Sequence, residues 1–329
     1  NMNSLKRKAL AAAVFAGLGS GAAMAGHVNP AGLGQFLIYP YYTVQQTASG
    51  NAFNTYVTVV NTTTTGKVVK VRFREGKNSR EVLDFNLYLS PNDVWVGVLS
   101  PADATTTSPG RLTTPDTSCT NPAIPATGVD FRNFAMVSAE DFVSDKSLAR
   151  TREGYLEMYE LASVANGPNS TLDNITHTAA GVPLDCGAVQ GTAPALDLGT
   201  PSGGLHGSGT LINVNSGADT AYKAVAIANF QDDVIVPTLG TEQGNATNAD
   251  PWSVTTTATS DGPVNGDRAY LSDWINGGDA VSAMLMATQF MNEFVLDTAT
   301  KSATDWVVTF PTKRFYYATA TPWAASSPF

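Results

Sequence analysis

Short segments that alternate apolar with polar residues follow one another between residues 35 and 99, and turn-forming residues separate them. The clearest is residues 67–74, where Val69, Val71 and Phe73 would share one face of a strand and the intervening residues are basic. The others are residues 35–42, 54–61, 82–89 and 94–99. We therefore predict a mainly β fold, an immunoglobulin-like antiparallel β-sandwich, with Arg72 and Arg74 on a solvent-exposed basic face.

The rest of the chain supplies further strand-like segments, two irregular stretches and one helix. The strand-like segments are residues 154–161, 209–214, 224–230, 305–310 and 313–317. Apolar residues at helical spacing predict a short helix over residues 279–294, with Asp279 as its N-cap. Residues 101–130 and 165–208 are rich in Pro, Thr, Ser and Gly, which predicts two long loop insertions. We expect one elaborated β-sandwich domain over residues 26–329, and leave open whether C-terminal residues are missing after Phe329.

The first 25 residues have the three parts of a secretory signal peptide. Lys6, Arg7 and Lys8 precede an apolar run over residues 9–23, and Ala23 and Ala25 flank Met24 in the pattern that signal peptidase reads. The run is too short and too rich in Ala and Gly for a stable membrane span, which needs about 20 strongly apolar residues. We therefore predict that residues 1–25 are a leader, that the mature chain is secreted and that it has no transmembrane segment.

Two cysteines, Cys119 and Cys186, occur in the chain. In an oxidising compartment a single pair most simply forms one disulfide, which would join the two predicted insertions. Their spacing matches no metal-ligand motif. The alternative is two unpaired thiols.

The charge balance narrows the classes of partner. The chain has 19 Lys and Arg against 28 Asp and Glu, a formal net charge of −9. Because three of the basic residues lie in the leader, the mature chain is more acidic still. An acidic surface argues against nucleic acid or an anionic membrane as a partner.

Motifs of the common enzyme classes do not occur in the sequence. A nucleophile elbow, the zinc motif H-E-x-x-H and a P-loop are all missing, and the chain has three histidines. Glu153, Glu157 and Glu160 lie close together but do not share one strand face, and we expect them on solvated faces. We therefore predict a protein that is not an enzyme and has no cofactor. Adjacent acids at Asp232 and Asp233 are a candidate structural Ca²⁺ site, with turn-forming acids as the alternative.

Aromatic and basic side chains suggest an assembly or binding surface. The residues are Phe36, Tyr39, Tyr41, Tyr42, Arg72 and Arg74. The aromatic residues are suited either to a carbohydrate-binding face or to core packing, and the basic ones to contact with the acidic surface of another copy. Residues 35–42, with Pro40 at an edge or a bend, could also add as a free strand to a neighbouring copy.

Three stretches resemble uncharacterised secreted and cell-surface proteins of proteobacteria. They are residues 54–95, residues 150–161 (RTREGYLEMYEL) and residues 304–317 (TDWVVTFPTKRFYY). The resemblance implies an exported β-rich protein of a Gram-negative bacterium, extracellular or on the cell surface, with the periplasm as an alternative. It implies no activity and no catalytic residue.

We therefore predict an exported, non-enzymatic structural protein of the cell surface. It would associate with itself or with other surface proteins, or coat the cell. The alternative is an extracellular module for adhesion or for binding a carbohydrate or another ligand.

Overall fold

The computed structural model describes residues 25–47, 49–137, 141–239, 244–257, 268–287, 297–299 and 306–319. Within these ranges the chain is mainly β, and every pairing between the strands named below is antiparallel. The mainly β, antiparallel fold is thereby confirmed, while an immunoglobulin-like topology stays a prediction. The predicted leader, apart from Ala25, lies outside the described residues.

The larger sheet is built around three long neighbouring strands, with shorter strands at its edges. Its order is β1 (His27–Val28), β14 (Val225–Ala228), β2 (Phe36–Thr43), β10 (Glu153–Val164), β4 (Gly66–Glu75), β5 (Glu81–Leu89) and β8 (Thr120–Asn121), and β11 (Leu198–Gly199) pairs with the end of β10.

The smaller sheet packs against one face of the larger sheet. Its order is β13 (Ala218–Lys223), β12 (Leu205–Asn213), β3 (Asn54–Asn61), β6 (Val94–Pro101), β7 (Gly110–Thr113) and β9 (Val129–Asp130). A separate hairpin consists of β15 (Trp252–Thr257) and β16 (Arg268–Asp273).

The core between the two sheets follows the predicted alternation. Val69, Val71 and Phe73 of β4 are fully buried there, together with Val59 of β3 and Trp95 of β6. Apolar side chains at every second position of facing strands exclude water from the space between the sheets. This face of β4 is confirmed.

The opposite face of β4 is buried as well, which corrects the prediction of a solvated basic face. Arg72 is 1 % exposed and Arg74 is 5 % exposed. A second apolar cluster covers this face of the sheet, because side chains such as Ile175, Val189 and Val281 from later parts of the chain pack onto it. An open antiparallel sheet can keep one face in water, but this sheet is covered on both sides.

Carboxylates on the neighbouring strands neutralise the buried cations. Arg74 Nε lies 2.6 Å from Glu157 Oε2, and Arg72 Nε lies 2.8 Å from Glu81 Oε2. Burial opposes a charge on Arg74, but its attraction to Glu157 outweighs burial, so its pKa is raised. Glu157 therefore does not lie on the solvated strand face that the sequence predicts.

Glu160 is the second carboxylate that was predicted on a solvated face and is buried in the structure. Its Oε1 lies 2.7 Å from Lys67 Nζ, and both side chains are fully buried. The backbone N–H groups of Ser202 and Gly203 also donate to it. Burial raises the pKa of Glu160, while Lys67 and these hydrogen bonds act in the opposite direction.

Strand β2 is an interior strand and is not free for exchange. It pairs with β10 on one side and with β14 on the other, and the rings of Phe36 and Tyr159 stack with centroids 4.3 Å apart. Pro40 is tolerated because β14 reaches only Ile38 and the register on β10 shifts beside it. The predicted bend at Pro40 agrees with this shift, but the predicted free strand is wrong.

The predicted disulfide between Cys119 and Cys186 is confirmed, with the two Cα atoms 5.1 Å apart. The insertions that it joins are more regular than predicted. The first contains β7, β8 and β9, and the second contains helix α1 (Thr171–Ile175) and β11. The bridge holds part of the second insertion against the larger sheet, because Cys119 and Ile175 belong to the same apolar cluster.

Two elements near the end of the chain differ from prediction. Helix α2 (Gly277–Leu285) begins earlier than predicted, with Asn276 as its N-cap and Asp279 at the third position. Residues 288–294 of the predicted helix lie outside the described residues.

The second difference is helix α3 (Lys313–Thr319), where the sequence predicts a strand. Residues 306–310 have no regular structure, and Asp305 lies outside the described residues. Pro311 has no backbone N–H to offer a sheet, and the chain turns into the helix directly after it. Among the helices described, none is both long enough and apolar enough to cross a membrane.

Removing the disulfide is expected to destabilise the chain strongly, because the two half-cystines are 67 residues apart. For Cys119→Ser combined with Cys186→Ser we expect a loss of roughly 3–4 kcal/mol in the free energy of unfolding, since the unfolded chain regains loop entropy. Urea unfolding of the mature chain measures it. The double variant should no longer respond to reductant, and a wild-type midpoint that reductant leaves unchanged would contradict the prediction.

Candidate binding cleft

A cleft of about 280 Å³ opens where the bend of β2, the turn between β4 and β5, and the start of β10 meet residues 306–313. We call residues 306–313 the strap. The residues that line the cleft are Tyr41, Gly76, Ser79, Glu153, Gly154, Tyr155, Trp306, Val307, Val308, Thr309, Phe310 and Lys313.

Side-chain hydrogen bonds attach the middle of the strap to β2 and the helix after the strap to helix α2. The hydroxyl of Thr309 donates to the carbonyl oxygen of Pro40, at the bend of β2. Beyond the strap, the hydroxyl of Tyr316 lies 2.9 Å from Asp279 Oδ1, and the ring of Phe315 lies against Gly278. Helix α3 is thus anchored to the start of helix α2, and the strap runs from this anchor to β2.

A buried carboxylate organises the turn that forms another wall. Glu75 accepts hydrogen bonds from the backbone N–H groups of Lys77, Asn78 and Arg80, at 2.7–2.9 Å. Arg150 donates to both oxygens of Glu75, at 2.8 and 2.9 Å. A bidentate arginine restrains the carboxylate in its plane, so the turn is held in one conformation.

Asp141 completes this network on the far side of Arg150. It accepts from Arg150 Nη1 at 2.7 Å and from Lys146 Nζ at 2.8 Å, and Asn78 donates to its other oxygen. Burial opposes ionisation of Asp141, but the hydrogen bonds from Arg150, Lys146 and Asn78 outweigh it and hold its pKa well below the usual range. The network ties the turn to residues 141–152.

Close backbone contact shapes the floor of the cleft at Gly154. A Cβ atom here would collide with the carbonyl oxygen of Arg74 on the neighbouring strand. The register of β10 on β2 also shifts between Gly154 and Leu156. A glycine at this point therefore allows β4 and β10 to approach closely next to an irregular pairing.

The lining combines exposed aromatic surface with few charges. Trp306 is 56 % exposed and Phe310 is 45 % exposed, while the ring of Tyr155 is buried in the floor. Glu153 is exposed and supplies a carboxylate, and Lys313 supplies an ammonium group. A cleft that combines aromatic side chains with a few placed polar groups is typical of sites for small organic ligands.

The structure brings one of the six predicted surface residues into this cleft, namely Tyr41. The other five, Phe36, Tyr39, Tyr42, Arg72 and Arg74, are buried within the chain and do not form a surface. The burial of the three aromatic rings agrees with the core-packing alternative. Tyr39 and Tyr42 lie in the inter-sheet core, whereas Phe36 lies in the second cluster.

The sequence analysis missed Trp306 and Phe310 as site residues because it assigned both to a strand. Their segment offered one signal, a run of apolar residues that ends at a proline. Such a run is typical of a buried strand as well as of an exposed strap. Only the packing of its neighbours distinguishes the two.

The carboxylates predicted to hold Ca²⁺ are exposed in the structure. Asp232 and Asp233 follow β14, and their charges contribute to a raised pKa at Asp250, after burial of that carboxyl group as the main cause. No group of three or more His, Cys, Asp or Glu side chains within the described ranges is arranged to hold a metal ion. The Ca²⁺ site at Asp232 and Asp233 stays a prediction.

His177 in the second insertion forms a cluster with Thr117 and Asp93 that has some features of a hydrolytic triad. His177 Nε2 lies 3.2 Å from the hydroxyl of Thr117, and His177 Nδ1 lies 3.7 Å from Asp93 Oδ2. The second distance exceeds a hydrogen bond, and the Thr117 hydroxyl donates to the carbonyl of Gly181 at 2.8 Å. The cluster thus joins the insertions to the turn after β5, and its geometry does not favour nucleophilic catalysis.

Comparison of the chain with protein-family models, with curated proteins and with solved structures finds no match. The resemblance to secreted proteins of proteobacteria therefore stays a prediction.

Filling the space at Gly154 is expected to destabilise the fold. Gly154→Ala should lower the free energy of unfolding by about 2 kcal/mol, because the added methyl group forces β4 and β10 apart. Gly76→Ala is the matched control in the same cleft, since its Cβ would meet its nearest neighbour at 3.5 Å, an ordinary contact. Urea unfolding measures both, and equal effects of the two substitutions would contradict this explanation.

The Asp141 network is expected to make the fold sensitive to acid. Since the pKa of Asp141 is lowered in the folded chain, the network stabilises above the unfolded carboxyl pKa of about 3.9, and this stability is lost as the pH falls through the lower folded value. Asp141→Asn should therefore lose less stability than wild type between pH 5 and pH 2. Denaturant unfolding at each pH measures this, with the exposed Asp173→Asn as control. Parallel pH profiles for all three proteins would contradict it.

Proposed function

We propose that this chain is an exported, non-catalytic binding module, and that the cleft under the strap binds an extracellular carbohydrate. The observation that carries the proposal is the exposed aromatic surface of Trp306 and Phe310 beside the carboxylate of Glu153.

The chemistry of the lining suits a sugar ring. The C–H face of a pyranose is apolar and packs on an aromatic side chain, while its hydroxyl groups donate to a carboxylate or accept from an ammonium group. Trp306 provides such an aromatic face, and Glu153 and Lys313 provide the two kinds of polar partner. The hydrogen bonds of Thr309 with β2 and of Tyr316 with helix α2 restrain the strap, which lowers the entropy cost of ordering it on binding.

Two features support export. Residues 1–25 have the pattern of a leader, and a disulfide joins Cys119 to Cys186. Disulfides persist in oxidising compartments such as the periplasm and the cell exterior. A binding function is preferred to a coat built from the predicted surfaces, because Arg72, Arg74 and strand β2 are all internal to the chain.

Binding to an array of neutral and amino-sugar oligosaccharides tests the proposal with the disulfide-bonded mature chain. For any oligosaccharide that binds, Trp306→Ala should weaken the affinity at least about tenfold, which corresponds to about 1.4 kcal/mol of lost stacking. Glu153→Gln should weaken it less, since the amide still accepts hydrogen bonds.

The matched control is Trp252→Ala, which removes an exposed tryptophan from β15, outside the cleft. Its affinity should equal that of wild type. Equal losses for Trp306→Ala and Trp252→Ala would assign binding to another surface, and an array without any bound oligosaccharide would overturn the carbohydrate assignment.

A further inference from the structure

Strand β13 forms an open edge of the smaller sheet. Among the strands described it pairs with β12 alone. Five of its six residues are exposed, and Tyr222 is half-buried, with its hydroxyl donating to the carbonyl oxygen of Tyr41. An edge strand of this length presents a row of backbone N–H and C=O groups to another chain.

The register with β12 identifies which residues point those groups outward. Ala224 N–H donates to the carbonyl of Gly207 at 2.9 Å, directly beyond the pair formed by Ser208 and Lys223. In an antiparallel ladder, hydrogen-bonded pairs alternate with pairs that exchange no hydrogen bond. The pairs that exchange no hydrogen bond with β12 are therefore those of Asp219, Ala221 and Lys223. The backbone N–H and C=O groups of these three residues face the open edge.

We propose that two copies of this chain pair through β13, antiparallel and related by a two-fold axis at Ala221. In this register Asp219 of each copy lies opposite Lys223 of the other, and the three outward residues of each strand exchange up to about six backbone hydrogen bonds. The two smaller sheets then form one continuous sheet across the dimer. This pairing does not depend on the cleft.

Charge selects this register from its neighbours. Asp219, Ala221 and Lys223 lie on one face of β13, and all three are exposed. Centring the axis on Thr220 or Tyr222 would leave each charge opposite an uncharged residue. Centring it on Asp219 or Lys223 would place like charges opposite each other, which is unfavourable. The axis at Ala221 instead creates two pairs of opposite charge. A lysine often protects an edge strand from pairing, but here an aspartate of the second copy would neutralise it.

The other face of the strand is compatible with the same register. Tyr222 of each copy lies opposite Thr220 of the other, at a position where side chains approach closely because the pair exchanges no backbone hydrogen bonds. The ring of Tyr222 is already held over Gly209, where a Cβ atom would collide with it. An aromatic side chain beside a β-branched one is a favourable cross-strand pair.

Sedimentation velocity of the mature chain over a range of protein concentrations tests the proposal. A single strand pair buries little surface, so we expect a weak dimer whose population rises with concentration and falls with salt. Asp219→Lys and Lys223→Asp should each weaken dimerisation about tenfold, because two attractive pairs become two repulsive ones. The double variant Asp219→Lys, Lys223→Asp should restore it.

Two further variants separate the edge from general effects of charge and folding. Asp173→Lys makes the same charge change on helix α1 and should leave dimerisation unchanged. Ala221→Pro removes an outward N–H that β12 does not use, so it should abolish the dimer while the thermal unfolding midpoint stays within a few degrees of wild type.

A chain that stays monomeric at every concentration would overturn the proposal. A dimer that both single charge reversals leave intact, or that the charge swap fails to restore, would overturn it as well. Dimerisation that survives these variants but is lost with Trp306→Ala would assign self-association to the cleft instead.

Discussion

The burial of a charged strand face is the constraint on which the rest of this structure depends. Strand β4 carries Arg72 and Arg74 into the interior, where charges are costly unless they are paired and hydrogen-bonded. Strands β5 and β10 supply the carboxylates, so the three strands form one electrostatic unit as well as one sheet. The later part of the chain covers this unit, because apolar residues around the charges, such as Phe36 and Tyr159, also need burial.

The candidate cleft lies at one end of the same unit. At the end of β4, Glu75 accepts hydrogen bonds from three backbone N–H groups of the following turn and from Nε and Nη2 of Arg150. Gly154 lets β10 pass closely beside this turn. One wall of the cleft thus depends on a further buried charge pair, Glu75 with Arg150, whereas the strap adds exposed aromatic surface from a distant part of the chain.

Sequence reasoning succeeded where a local pattern is compatible with only one structure. The apolar face of β4 was predicted correctly, because side chains of a strand alternate and the apolar set must face the core. It failed at the basic face, because alternation states which residues share a face but not what covers it. It also failed at residues 313–317, where aromatic residues favour a strand but the contacts of Phe315 with Gly278 and of Tyr316 with Asp279 stabilise a helix.

The sequence by itself determined the β class, the apolar face of β4 and the one disulfide that two cysteines can form, because a strand alternates its side chains and two cysteines allow a single pairing. Tertiary structure decided that β2 is interior, that five of the six expected surface residues are buried, and that Trp306 and Glu153 meet around a cleft. Those outcomes depend on contacts between segments more than 100 residues apart, and no local pattern in the chain encodes such contacts.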